Sequence, residues 1–261
     1  MDSINIPITY PGLGKCIYCG KSNTKLSKEH IIPFGLGGNL ILSHSSCKGC
    51  AKITSQFERF IQHEMLGPAR IKLNLPTRRP QKRPKQLTLV YHSGDMQKKF
   101  ESLSIEEFPS VIAGFDFPEP ALLRNIPYND HKISEGRLII KPIVDITKNE
   151  KYKAGKKIKI GSFSVLEYKR FLAKIAHSYY IAQFNNMNFT PFLPDFILGK
   201  NNQLSYYVGG GNHLPNNNSE SNILHHLYRQ DCIHNGIKYI GIVIHLFAFA
   251  NMPKYYVIVG R

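Results

Sequence analysis

The sequence predicts an α+β fold: a small stapled hairpin-and-helix module at the N-terminus, followed by an α+β domain with a mostly antiparallel sheet. Three observations predict it. Two Cys-x-x-Cys pairs, Cys16-Ile17-Tyr18-Cys19 and Cys47-Lys48-Gly49-Cys50, bracket short apolar runs broken by Pro33, Gly35, Gly37 and Gly38. A helical apolar periodicity (Ile53, Phe57, Phe60, Ile61) follows the second pair. Near the C-terminus, residues 238–250 and 255–259 are β-rich runs separated only by Asn251-Met252-Pro253-Lys254, which suits an antiparallel pair.

The staple comes first. A Cys-x-x-Cys turn lets two thiolates converge on one ion, and two such pairs close a tetrahedral structural zinc site from Cys16, Cys19, Cys47 and Cys50. The interval between Cys19 and Cys47 exceeds the roughly 15–20 residues of a compact ribbon, so it carries an insert. That insert opens with a polar loop at 21–28. It continues with Glu29-His30-Ile31-Ile32 as a strand stopped by Pro33, turns at the glycines, and returns through Leu40-Ile41-Leu42. Ser45 or Ser46 is placed to N-cap the helix that holds Cys47 and Cys50.

The two Cys-x-x-Cys pairs and the Glu29-His30-Ile31-Ile32-Pro33 … Gly37-Gly38 core resemble the HNH endonuclease family, of the ββα-metal type with a four-cysteine zinc knuckle. The resemblance covers residues 14–62 or so, under a quarter of the chain. It implies that His30 deprotonates the attacking water and that Glu29 ligates a catalytic Mg²⁺ or Mn²⁺. It implies that Asn39 either orients the base or pins the loop. The implied product is a nick with a 5′-phosphate and a 3′-hydroxyl. Histidine suits the base because its ordinary pKa is about 6.5. The sequence departs from the family pattern directly after the last cysteine, where many members carry an Asn or His ligand and this chain has Ala51. Thr54, Ser55 and Glu58 lie one or two turns further on, and His44 lies just before the helix. Glu58 has two readings: a replacement metal ligand, direct or through water, or a surface carboxylate paired with Arg59, Lys52 or the basic segment beyond.

That segment, residues 67–85, follows the module at 1–66. It carries Arg70, Lys72, Arg78, Arg79, Lys82, Arg83 and Lys85, punctuated by Pro76, Pro80 and Pro84. Proline blocks regular structure, so it reads as an extended strap, either a clamp on phosphate backbone or a solvated linker. The formal charge of +16 favours an acidic polymer as partner, most naturally nucleic acid; the resemblance to the HNH family implies double-stranded DNA. No run is long enough to span a membrane, and the N-terminus lacks signal-peptide character. Paired cysteines without a secretion signal point to the cytoplasm.

Residues 86–261 are expected to form the α+β domain. Residues 86–92, 136–146 and 157–163 read as strands, while 93–133 give no clear signal. The lysines at 148, 151, 153, 156, 157 and 159 form a second basic cluster, a backbone contact or a hairpin tip. Ser164-Val165-Leu166-Glu167 is a capping box. It opens a helix with Tyr168, Phe171, Leu172, Ile175, Tyr179 and Ala182 on a core face, and Lys169, Arg170, Lys174 and Ser178 mostly on the other. Residues 185–235 read as loop-rich, with Gly209-Gly210-Gly211 a flexible turn. His177, His225, His226, His234 and His245 are expected as singly satisfied polar residues, and Cys232 as a small buried one.

Two functions compete. One is a metal-dependent HNH-type endonuclease, in which a homodimer or partner would pair nicks into double-strand breaks. The other, motivated by Ala51, is a zinc-stapled nucleic-acid-binding or assembly module without turnover.

Overall fold

The N-terminal hairpin is built on a three-stranded sheet ordered β1-β3-β2, from β1 (Ile8–Tyr10), β2 (Leu26–His30) and β3 (Leu40–Cys47). β2 and β3 are antiparallel and β1 joins β3 in parallel. This computed structural model describes residues 6–92, 97–129, 136–144, 157–158, 161–185, 188–211, 214 and 222–261. β2 begins inside the expected polar loop and stops at His30, before the expected end. Pro33 instead opens a single 3₁₀ turn, Phe34–Leu36, closed by Gly37 at φ +87°. A Cβ on Gly38 would collide with the Ile32 carbonyl oxygen, so that return of the chain requires glycine.

Helix α1 (Lys48–Arg59) starts with Cys47 as N-cap, not Ser45 or Ser46, because β3 runs through Cys47 directly into the helix. It widens into a π-type turn over Phe60–Met65, then breaks into α2 (Gly67–Lys72). Helix α2 thus occupies the start of the 67–85 strap, which the prolines suggested would be extended throughout: Pro68 falls in the first turn of the helix, where its missing N–H costs nothing, and the rest of the strap holds one 3₁₀ turn at Pro80–Lys82.

Beyond it, β4 (Gln86–His92) pairs antiparallel with β5 (Lys98–Ser104), and β6 (Val111–Asp116) pairs antiparallel with β7 (Arg137–Pro142). β5 and β6 fall within the stretch that carries no clear pattern in sequence. The short β8 (Lys157–Ile158) adds to β4. The other members of the second lysine cluster (148, 151, 153, 156 and 159) lie outside the described residues. Helix α3 (Val165–Phe184) opens where the Ser164 hydroxyl accepts the Glu167 backbone N–H, and ends at Asn185 in the left-handed region. After the one-turn α4 (Pro194–Ile197) comes the largest sheet. Its order is β10-β12-β13-β9, from β9 (Val208–Gly210), β10 (His225–Arg229), β12 (Ile237–Leu246) and β13 (Lys254–Gly260), with β11 (Cys232–His234) also on β12. Every pairing in it is antiparallel.

Two features depart from expectation. Gly209 and Gly210 are strand residues, not a flexible turn. A Cβ there would collide with the Pro120 nitrogen or the Phe117 carbonyl oxygen, so close backbone approach explains them. The supposed polar face of α3 is also buried: Lys169 is 2 %, Lys174 0 % and Ser178 0 % exposed. Helix α3 is enclosed because it packs against β12 and β13 and also against α1. One continuous cluster of buried side chains runs from Cys16, Ile31 and Phe57 through Phe171 and Ile175 to Tyr255 and Val259.

Candidate active site and zinc centre

The four sulfur atoms of Cys16, Cys19, Cys47 and Cys50 lie within 4.8 Å of one another. Tetrahedral geometry with bonds of about 2.3 Å places ligand sulfurs about 3.8 Å apart; Cys19 and Cys47 stand at 3.7 Å. The first pair is shaped by a tight turn in which the Gly20 N–H donates to the Cys16 carbonyl and Gly20 sits at φ +76°. The second pair caps the helix, and the Cys47 N–H donates to the Cys16 sulfur at 3.4 Å. All but Cys19 are buried. The donor set fits a structural zinc ion, which these residues would hold to join the hairpin base to α1.

Glu29 and His30 end β2, against Leu42 and Ile41 of β3. Glu29 is buried, at 6 % exposure. Glu58 reaches the same place from α1, two turns beyond Cys50. The sequence did not anticipate what stands between them. Lys174 Nζ, from the middle of α3, lies 2.7 Å from Glu29 Oε1 and 2.7 Å from Glu58 Oε1. It also donates to the main-chain carbonyls of His30 and of Ile31, the latter at 3.2 Å. Burial pushes the Glu29 carboxyl up; Lys174 pulls it back and Glu58 adds to the rise. Burial works against the charge on Lys174, but the two carboxylates hold its pKa above the ordinary lysine value. Tyr18 lies in the same negative field, and burial with the Glu29 and Glu58 charges drives its hydroxyl far above the usual tyrosine range.

His30 faces a different balance. Burial lowers its pKa to about 4, with Lys28, Lys174 and Arg78 adding positive charge. It is half-buried, beside the Phe34 ring at 6.2 Å, and its Nδ1 has no hydrogen-bond partner among the described residues. It is therefore a neutral imidazole at pH 7.

The other sequence-predicted residues fall as follows. Asn39 Nδ2 donates to the Ile6 carbonyl at 3.3 Å, and the Asn39 carbonyl accepts the Ile8 N–H, so this residue pins the lead strand. His44 is exposed at φ +42°, in the irregular stretch of β3 opposite Lys28. Ala51 offers no donor side chain. Thr54 and Ser55 return their hydroxyls to the helix carbonyls of Ala51 and Lys52. Glu58 meets Lys174, not Arg59, Lys52 or the strap.

The strap divides in two. Arg70 donates to the carbonyls of Gly35 at 2.6 Å and Gln62 at 3.0 Å, Arg83 to those of Ile71 and Leu75, and Lys72 pairs with Glu106. Arg78, Arg79, Lys82 and Lys85 are exposed and make no such carbonyl contacts among those described.

A divalent metal finds the oxygen donors of Glu29 and Glu58 converging, yet the ammonium of Lys174 stands between them. In this arrangement the two carboxylates do not fit a metal ion. Lys174 is legible in the sequence only as one polar residue on α3; nothing in its spacing links it to Glu29.

The four-cysteine cluster is compatible with zinc, and among the described residues no helix is long and apolar enough to cross a membrane. No curated protein and no solved structure matches the chain. Residues 16–65 match the family model described as HNH endonuclease, and the four-cysteine cluster lies inside that span.

Proposed function

We propose that the chain is an HNH-type endonuclease hydrolysing phosphodiester bonds in double-stranded DNA, in the cytoplasm, with His30 as general base. The observation that carries this reading is the place of His30: it ends β2 in the hairpin stapled by the four cysteines, inside the span that matches the HNH endonuclease family model, and burial keeps its imidazole pKa low. A base must be unprotonated to accept a proton from water. His30 takes that proton, the water oxygen bonds to phosphorus, and the P–O3′ bond breaks. The products are a 5′-phosphate and, after the leaving oxygen takes up a proton, a 3′-hydroxyl. Arg78, Arg79 and Lys82 hold the backbone and offset its charge. Glu29 acts as a positioning residue by holding Lys174, whose ammonium also binds the His30 carbonyl, and no step runs through Mg²⁺ or Mn²⁺, because Lys174 fills the space between the carboxylates.

The second reading is a nucleic-acid-binding or assembly module without turnover. Ala51 and the Lys174 contact favour it, since both remove what a catalytic metal would use. Supercoiled plasmid separates the two. Nicking by the zinc-loaded chain that disappears in His30→Ala, with zinc content and fold unchanged, supports the nuclease. Cleavage unaltered by that substitution removes His30 from the reaction. Salt-sensitive binding to DNA or RNA with no cleavage supports the second reading.

A further inference from the structure

We propose that Lys174 is the resident cation of this module: its ammonium occupies the position between Glu29 and Glu58 that a divalent metal would need, so the intact chain takes up no Mg²⁺ or Mn²⁺ there, and removing the ammonium opens a divalent-cation site on the same two carboxylates. This holds whether or not His30 cleaves anything.

The geometry is that of a cation in an oxygen cage. Nζ meets four oxygens: Glu29 Oε1 at 2.7 Å, Glu58 Oε1 at 2.7 Å, the Ile31 carbonyl at 3.2 Å, and the His30 carbonyl. They come from β2, the chain just after it, and α1. Carboxylate and carbonyl oxygens are also the donors that hard divalent ions select, at about 2.0–2.1 Å for Mg²⁺. An ion on either Oε1 would sit against a buried ammonium, where a low dielectric leaves the repulsion strong. Ala51 adds an independent observation, since the position after the last cysteine carries no donor either. The module therefore offers no donor side chain at the start of α1 beside the cysteines and holds a fixed positive charge where the ion would go.

The ion pair is permanent, not a latch. Lys174 lies in mid-helix, between the buried Ala173 and Ile175. One turn on, Ser178 donates to the Lys174 carbonyl at 2.7 Å, and His177 Nε2 meets the Ile17 carbonyl at 2.8 Å beside Cys16. The same helix packs on β12 and β13. Drawing Nζ out of the cage would displace the centre of the core.

The test measures Mn²⁺ binding to the full zinc-loaded chain, by electron paramagnetic resonance of free Mn²⁺ and by calorimetry, on wild type, Glu29→Gln, Lys174→Met, and the two combined. Wild type is expected to show no Mn²⁺ uptake that Glu29→Gln abolishes. Lys174→Met is expected to bind one Mn²⁺ per chain, to be stabilised by it against heat, and to lose both effects when Glu29→Gln is added. A wild-type Mn²⁺ site that disappears in Glu29→Gln overturns the proposal, and this comparison stands even if Lys174→Met fails to fold. A folded Lys174→Met chain that binds no Mn²⁺ overturns the second half. Failure to cleave DNA bears on His30 alone and leaves these outcomes readable.

Discussion

Lys174 Nζ and Glu29 Oε1 close to 2.7 Å, tying the core helix of the C-terminal half to the strand that carries His30. Each group is buried, and neither has bulk water to fall back on. Lys174→Ala would leave two carboxylates facing each other without a counter-charge. Removing one partner of a buried ion pair costs about 3–5 kcal/mol. Urea denaturation of Lys174→Ala should show a loss of that order. The triple variant Lys174→Met, Glu29→Gln, Glu58→Gln, which removes all the charges together, should recover most of it. Equal losses in both variants would show that packing, not charge, is what the lysine supplies.

Acid should weaken the fold well before the carboxylates titrate fully. His177 is buried with its ring against the Ile17 carbonyl, and burial lowers its pKa to about 4. His225 lies between the Leu36 carbonyl and the Phe247 N–H, and burial again lowers it to about 4. Both folded values lie below the unfolded value of about 6.5. The unfolded chain therefore binds more protons between those limits, so stability is complete above about pH 6.5 and falls as pH drops toward 4. The expected loss is about 2–3 kcal/mol per imidazole by the bottom of that window. Denaturant midpoints at a series of pH values check it. His225→Gln, distant from the thiols, should flatten the slope in part, the remainder coming from His177 and from His30, which burial also lowers to about 4. Zinc release followed in parallel separates thiolate protonation from histidine protonation, since both act in the same direction.

Chelation is the cleanest probe of the staple. The hairpin base and α1 meet through four sulfurs, and Cys16, Cys47 and Cys50 also belong to the continuous core. Structural zinc contributes folding free energy directly. A chelator strong enough to strip the ion, or Cys47→Ser, should lower the melting temperature of the whole chain, not just that of residues 16–65. A melt that leaves the C-terminal sheet unchanged would show two independently stable units.

The pH dependence of cleavage tests the base. With its pKa held at about 4 by burial and neighbouring cations, His30 is neutral across the ordinary range. The acid limb of kcat/KM on plasmid is expected near 4, well below the value of about 6.5 for a free imidazole. Arg78→Glu should move that limb upward, because it replaces a repelling charge with an attracting one. A limb that stays put after this substitution would detach the strap from the site.

The staple and the hairpin are legible in the sequence because metal ligation and tight turns demand specific residue types at fixed short spacings. Cys-x-x-Cys, Pro33 and the glycines at 37 and 38 are such demands, and so is the Ser164 cap. The position of Lys174 is not legible. A lysine on an amphipathic-looking helix reads as solvated, and only the packing of α3 between the sheet and α1 buries it beside carboxylates far away in sequence. The same long-range packing hides β9, whose glycines look like a turn until the backbone of Phe117 and Pro120 is brought against them. It also conceals the division of the strap, since arginines that donate to carbonyls inside the fold and arginines that face outward look alike in one dimension.

The two halves of the strap should separate stability from binding. Arg70 is half-buried and donates to the carbonyls of Gly35 and Gln62, whereas Arg79 and Lys82 are exposed. Charge-assisted hydrogen bonds of the first kind are worth about 1.5–3 kcal/mol each, so Arg70→Ala should act on stability. It should leave the salt dependence of DNA binding unchanged. Arg79→Ala and Lys82→Ala should instead leave the melting temperature within about a degree or two and weaken binding alike across DNA sequences, as surface substitutions do when they remove only backbone contacts. Removing one phosphate contact should reduce the slope of log K against log salt by about 1. Titrating binding at several salt concentrations for the three variants reads both effects at once. If Arg70→Ala alone changed the slope, the phosphate would be held by the buried half of the strap.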